Sequence, residues 1–349
     1  MPHQSLENLK GEIAFRAKLA RQHTTGQRLL PDYFSKEDHD AILAERIATT
    51  RAAFSALKAQ GEDFSRFVEL GAERGHRSLA LVNSFAAEGL AMDLSLDQLR
   101  TAGHFSELFQ LPKLPLRVCC DANNLPLRSG AVPFLFCYQF LHHFPSLHGI
   151  LGEIHRALSG NGAFFFDEEP MGRLLQLHLY KQKTKEYSRF NLRKGKLVRW
   201  LEGFVSETAS DEVEHGVIEN HSMKMPCWQE ELSVFDSMEV RVRTLRHLRS
   251  RVTKKMRMAN IPNHLLGGVI YGICRKAGNL PFHASRTGNP TDWLACPACR
   301  MPAGEDRPPL DRQGDRMVCM ENKCTYPVVD DIPILIPPPL RKELYPRFG

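Results

Sequence analysis

The pattern of apolar and polar positions divides the chain into stretches of different period. Over residues 6–21 and 41–58, apolar side chains recur among charged ones at helical spacing, which predicts two helices. Between them, Ser35-Lys36-Glu37-Asp38 has the form of a capping box with Asp in place of Glu. From Phe64 short apolar runs alternate with helical stretches. Strands are predicted at 66–70, 89–92, 116–120, 132–138 and 162–166, and helices at 76–87, 95–109 and 147–158. Apolar strands alternating with helices predict an α/β fold, a parallel sheet with helices on both faces. Residues 171–230 break the alternation and read as an insertion or lid. Strands resume at 238–242 and 267–274, and Gly278, Pro281, Ser285, Gly288 and Pro290 mark a linker. The expected organisation is an N-terminal helical segment (1–62), an α/β domain (63–277), a linker (278–291) and a small C-terminal domain (292–340).

In open α/β sheets ligands bind beyond the carboxyl ends of the strands, so the residues there carry the candidate chemistry. The first predicted strand ends in Glu69-Leu70-Gly71-Ala72-Glu73-Arg74-Gly75, where glycines let the backbone pass close to a ligand. The second ends in Asp93, an acid placed to bond both hydroxyls of a ribose. The third ends in Asp121-Ala122, where a carboxylate can accept from an exocyclic amine. The glycine pattern lacks the G-x-G-x-x-G that seats a dinucleotide pyrophosphate, which argues against a nicotinamide cofactor.

This joint spacing resembles the class I S-adenosylmethionine-dependent methyltransferases, especially the type-11 group, well over 64–170 and weakly over 230–277. The resemblance implies a Rossmann-like methyltransferase sheet. It implies a cofactor site of Glu69, Gly71 and Gly75 at the methionine end, Asp93 and Leu94 at the ribose, Asp121 and Ala122 at the adenine, and Gln139 after the fourth strand. One position departs: Glu73 stands where the family usually has glycine, and its side chain is expected to crowd the cofactor, with Arg74 beside it as a compensating charge. That departure keeps a second reading open, a non-catalytic or RNA-directed binding protein with a degenerate pocket. For the acceptor, the chain has Cys137-Tyr138-Gln139-Phe140 where methyltransferases of planar base amines often carry Asn/Asp-Pro-Pro-Tyr/Phe. A small-molecule, lipid or glycan acceptor is therefore favoured. The candidate bases and anchors are His142 and His143 after the fourth strand and Glu168 after the fifth.

Near the C-terminus, Cys296 and Cys299 are followed by Cys319 and Cys324, a C-x2-C…C-x4-C spacing that places four thiolates around a tetrahedral zinc. A closed four-cysteine shell leaves no open position, so the expected metal is structural. With Tyr326-Pro327-Val328-Val329-Asp330-Asp331-Ile332-Pro333 after it, the segment is similar to the Trm112-like zinc ribbons, whose pattern there commonly has glycine at the position of Asp331. Members of that family bind and stabilise methyltransferases, which implies a ribbon packed in cis on the α/β domain.

Composition adds limits. The chain of 349 residues is 42% hydrophobic and 25% charged, as in an ordinary globular protein. Its longest apolar stretch, about 131–141, is too short for a spanning helix. The N-terminus has no apolar signal region, and nine cysteines argue against a disulfide framework, so a cytoplasmic protein is expected. The net charge is +6, but residues 181–200 hold eight basic side chains against one acid, and 241–257 hold eight against none. RNA is a possible partner for those runs, and a solvated surface is the simpler account of them.

Overall fold

The computed structural model describes residues 4–25, 36–172, 180–183, 206–209, 215–221, 223–245, 248–252, 265–278, 289–299 and 306–348. Ser35 of the expected capping box, most of the 181–200 run, residues 246–247 and 253–257 of the second run, and residues 279–288 of the linker lie outside them.

Two long helices, α1 (Leu6–Thr25) and α2 (Lys36–Ala59), precede β1 (Arg66–Leu70). The alternation then runs α3 (His76–Ser84), β2 (Glu88–Asp93), α4 (Leu96–Arg100), α5 (Ala102–Leu108), β3 (Leu116–Cys119), β4 (Val132–Tyr138), α6 (Leu147–Ala157) and β5 (Leu158–Met171). A short parallel pair, β6 (Tyr180–Lys183) and β7 (Ser206–Ala209), falls within the insertion. Helix α7 (Met225–Glu231) and strands β8 (Ser237–Leu245), β9 (Leu248–Val252) and β10 (Gly268–Arg275) follow. The main sheet has the order β3-β2-β1-β4-β5-β10-β8-β9. Strands β1 to β5 pair in parallel, while β10 runs antiparallel between β5 and β8. This is a mixed α/β, Rossmann-like sheet.

Period-two alternation sorts the strand residues onto two faces. Phe67, Phe134, Phe136 and Phe165 point to one face, where Phe54 of α2 meets them edge-on at centroid distances of 5.1–6.0 Å for Phe134, Phe136 and Phe165. Val68, Leu70, Leu135, Cys137, Phe164 and Phe166 point to the other, against α6, Trp228 of α7 and the C-terminal domain. Helix α6 buries Leu147, Ile150, Leu151, Ile154 and Ala157, a single stripe at helical spacing.

Among the expected boundaries that move, three have a local cause. The helix expected over 95–109 is two helices that break at Thr101, whose Oγ1 bonds the Gln98 carbonyl at 2.7 Å. The helix from His76 stops at Ser84, because Ala86 is left-handed (φ 54°). The strand expected over 162–166 runs from Leu158 to Met171, since its acidic end, which reads as a turn, pairs with β10.

The C-terminal domain is a four-stranded antiparallel sheet, β11 (Leu310–Gln313), β12 (Arg316–Cys319), β13 (Thr325–Val329) and β14 (Ile332–Pro333), followed by α8 (Pro338–Leu344). It docks on the edge of the main sheet. Ile334 bridges Cys119 in parallel, Leu335 N–H donates to the Cys119 carbonyl at 2.8 Å, and the Tyr345 hydroxyl donates to the Leu94 carbonyl at 2.5 Å. On the loop after β3, Leu294 bridges Leu127, and Ala295 N–H donates to the Pro126 carbonyl at 2.9 Å. None of the described helices is long and apolar enough to cross a membrane.

Candidate active site

The strand order reverses between β1 and β4, which leaves a crevice at the carboxyl ends of the parallel strands. A cavity of about 370 Å³ opens there. Gly71, Asp93, Leu94, Asp121, Ala122 and Gln139, all candidates from the sequence, share its wall. Gly71 is left-handed (φ 64°), and a Cβ on it would come within 2.3 Å of the Phe140 ring. Asp93 accepts from the Glu73 amide at 2.8 Å and the Ser95 amide at 2.7 Å, which ties the β1 loop to β2. Asp121 caps the turn Ala122–Asn124 by accepting from Asn123 N–H at 2.9 Å.

Two candidates stand off this wall. Glu69 is buried beneath it and accepts from the Ser78 amide at 3.0 Å and from the Ser78 hydroxyl, so it anchors α3 to β1. Burial pushes its carboxyl up to about 7 against the pull of Arg77 and Ser78. Gly75 is the left-handed residue that opens α3, and a Cβ there would meet nothing closer than 3.8 Å. Its role is conformational.

Glu73 takes a left-handed conformation (φ 48°), and its carboxylate meets Arg16 of α1 at 3.2 Å, Arg46 of α2 at 3.5 Å and Arg74 at 4.0 Å. The compensating charge comes chiefly from the N-terminal helices rather than from the neighbouring Arg74. Burial alone would raise this carboxyl, but the three guanidinium groups outweigh it and hold it well below the usual range.

The N-terminal segment also enters the wall, through Gln4 ahead of α1, Glu12 and Arg16 of α1 and Arg46 of α2, which sequence reasoning missed. Glu12 and Arg16 sit at i, i+4, a spacing that reads as a solvated ion pair. Burial pushes Glu12 up to about 7, with Asp93 and Asp121 adding to the rise against Arg16. Tyr138 is a second missed group. Its hydroxyl is buried with no hydrogen-bond partner among the described residues, and Arg77 lies 4.2 Å from its ring centroid.

The candidate bases separate into different environments. His143 Nδ1 donates to the Ile218 carbonyl at 2.9 Å, and burial holds its pKa well below the usual value, so it is a neutral, fixed ring. Glu168 is left-handed (φ 62°) and pairs with Gln139 Nε2 at 3.1 Å and Arg77 at 3.6 Å. His142 is backed by Glu169, an acid the sequence reading passed over. Glu169 is fully buried and accepts from the amides of Phe140 at 2.6 Å, Leu141 at 3.0 Å and His142 at 3.2 Å. It also takes His142 Nδ1 at 3.0 Å, which assigns the proton to Nδ1 and the lone pair to Nε2. Its three amide bonds carry no sequence signature.

In the C-terminal domain, the sulfurs of Cys296, Cys299 and Cys319 lie within 4.8 Å of one another, and Cys324 interacts with Cys296 and Cys319. Cys299 Sγ and Cys319 Sγ are 3.7 Å apart, too far for a disulfide. That separation matches the edge of a tetrahedron around an ion about 2.3 Å from each sulfur. Asn322 Nδ2 donates to Cys299 Sγ at 2.8 Å, and the Tyr326 hydroxyl lies 3.0 Å from Cys296 Sγ.

A family model described as a methyltransferase domain matches residues 68–166, from β1 into β5. Residues 68–166 are a methyltransferase domain. The chain is therefore an enzyme, and the cavity wall from Leu70 to Phe144 falls inside the matched span. No curated protein matches the sequence. Solved structures of methyltransferases resemble the chain at low identity. Geranyl diphosphate C-methyltransferase from Streptomyces coelicolor is 11% identical with a TM-score of 0.45, covering 77% of this chain and 98% of its own. A chain from the complex of the Haloferax volcanii Trm112 methyltransferase activator with a methyltransferase is 14% identical with a TM-score of 0.40, covering 69% and 94%. A methyltransferase from Methanosarcina mazei is 16% identical with a TM-score of 0.38, covering 61% and 93%. Outside the methyltransferase domain, Gln4, Glu12, Arg16, Arg46, Glu168, Pro170, Glu219 and His221 complete the wall.

Proposed function

We propose that the chain is an S-adenosylmethionine-dependent methyltransferase acting on a small-molecule, lipid or glycan acceptor, braced by a C-terminal Trm112-like zinc ribbon. One observation carries the cofactor assignment: Asp93 and Asp121, at the ends of adjacent strands, share a cavity with a glycine whose missing Cβ would strike Phe140. The residues fit the group. Asp93 and Leu94 would hold the ribose, Asp121 and Ala122 the adenine edge, and Gly71 the close approach of the backbone. Arg16 and Arg46 balance Glu73, so a ligand carboxylate at that end meets a cationic surface. The cofactor supplies a methyl group activated on a sulfonium. The chain's own task is to orient an acceptor against it and to exclude water, and proximity supplies much of the rate.

On the acceptor side, His142 is the group we assign to the reaction. Its tautomer is set by Glu169, whereas His143 is spent on Ile218 and Glu168 on Arg77 and Gln139. The four cysteines would hold one structural zinc. The setting we propose is cytoplasmic, where the buried thiols of Cys119, Cys120, Cys137 and Cys274, pushed up by burial, stay reduced. The RNA-directed reading rests on basic runs of which the described part includes Arg241 and Arg243 on the exposed face of β8.

Calorimetry with S-adenosylhomocysteine tests the assignment. Saturable binding at one site per chain is expected, and its absence overturns the reading. Product analysis after incubation of a metabolite extract with methyl-labelled cofactor then identifies the acceptor.

A further inference from the structure

His142, Glu219 and His221 come together from two separate elements on the acceptor side of the cavity. One ligand atom from each lies within 4.8 Å of the others, and the rings of His142 and His221 are 5.2 Å apart. All three belong to the cavity wall. We propose that they form a site for a divalent first-row cation, open towards an acceptor that chelates through oxygen. The proposal deepens the methyltransferase reading above and rests on it for the identity of the acceptor.

Three features support a built site. Two imidazoles and one carboxylate are a donor set for borderline divalent cations, and they leave coordination positions for substrate oxygens. His142 has the backing such a ligand needs: a buried carboxylate takes its Nδ1 proton, fixes the ring and leaves Nε2 to bind. The segment carrying the other two ligands is pinned against the first. Asn220, which lies between them, donates its amide to the His142 carbonyl at 2.7 Å, and the Ile218 carbonyl accepts from His143. From α1, Asn8 Nδ2 donates to the Gly216 carbonyl at 2.9 Å. Residues 219 and 221 are thus bracketed by contacts that hold them beside His142 in the cavity wall rather than on a free loop.

A cation there would gather acceptor oxygens next to the strand ends where we place the cofactor. It favours acceptors with paired oxygens, such as a vicinal diol, a hydroxy acid or a diphosphate. His142 would then serve the reaction as a ligand that positions the acceptor, and an acceptor hydroxyl made more acidic by the cation would release its proton to bulk water before its oxygen takes the methyl group.

The test is a titration of the full chain with Mn²⁺, followed by electron paramagnetic resonance. Mn²⁺ is hard enough to leave the four-thiolate cluster alone. Wild-type protein should bind one Mn²⁺, and Glu219→Gln and His221→Ala should each weaken binding at least tenfold. Both positions are near the surface, and thermal unfolding of each variant reports its fold. S-adenosylhomocysteine binding by the wild type is measured in parallel without Mn²⁺. If it fails, the cofactor reading falls whatever the cation does. If it succeeds and Mn²⁺ does not bind, or binds equally to wild type and both variants, the cation site is overturned and the cofactor reading stands.

Discussion

At the scale of single residues, Asp93 does two things with one carboxylate. It fixes the β1 loop through the amides of Glu73 and Ser95, and it fronts the cavity. Asp93→Ala leaves those amides without their acceptor and removes the proposed ribose partner. S-adenosylhomocysteine should bind about 5- to 150-fold more weakly, a cost on the order of 1–3 kcal/mol, as read by calorimetry. Unchanged affinity would falsify the ribose assignment. Glu12 predicts a pH dependence. Its folded pKa, pushed up to about 7, lies above the ordinary 4.5, so the folded state keeps a proton that the unfolded chain releases. Stability from this group is full below about 4.5 and is lost as pH rises through 7. Glu12→Gln cannot ionise, so its melting temperature relative to wild type should climb between pH 5 and pH 8, by an amount equivalent to on the order of 2 kcal/mol. A constant difference across that range would remove Glu12 from the account. Asp93 and Asp121 were legible in the sequence because each follows an apolar strand directly. Glu12, Tyr138 and Glu169 were not, because burial and hydrogen bonding, which the chain's local pattern does not record, give them their character.

Among the elements, α1 is the piece whose importance the sequence concealed. Its pattern read as an ordinary amphipathic helix, yet Glu12 and Arg16 reach the cavity, and Gly11 lets it press against the 215–221 segment. A Cβ on Gly11 would lie 2.1 Å from the His215 carbonyl oxygen. In a solvated helix, Gly→Ala stabilises by about 1 kcal/mol. Here the collision is with backbone that cannot step aside, so Gly11→Ala should lower the melting temperature by several degrees and weaken Mn²⁺ binding through displaced Glu219 and His221. A melting temperature at or above wild type would mean that α1 does not dock as described. The strands β1 to β5, β8 and β10, by contrast, were visible from their apolar runs, whereas β9 lies in the basic run and went unread; β5 outgrew its reading because its acidic end is held by pairing with β10 rather than by hydrophobicity.

For the whole molecule, the C-terminal domain is more than an appendage. It pins both ends of the cofactor-facing edge: Tyr345 holds the Leu94 carbonyl, and residues 294–295 clamp the loop that follows Asp121. A domain this small would draw folding energy from the zinc we propose for it. Elemental analysis should therefore find one tightly held zinc per chain. Cys296→Ser should lose it, lower the melting temperature of the whole chain and weaken S-adenosylhomocysteine binding. Zinc loss without any effect on cofactor binding would leave the metal in place and remove the bracing role. The spacing of the cysteines announced this domain, but nothing in its sequence said which edge of the sheet it would take.

That edge has a consequence during synthesis. Strand β3 is the outer parallel strand, and Ile334 and Leu335 cover its unpaired backbone. An open strand edge is a template for pairing with other chains. At the usual translation rates, residues 290–348 take about 3–12 s to make. Throughout that interval the new sheet waits with its flank bare and the loop after Asp121 unclamped. Expression at lower temperature, or with chaperones in excess, should protect this nascent intermediate, and a stalled or shortened product should collect in the insoluble fraction.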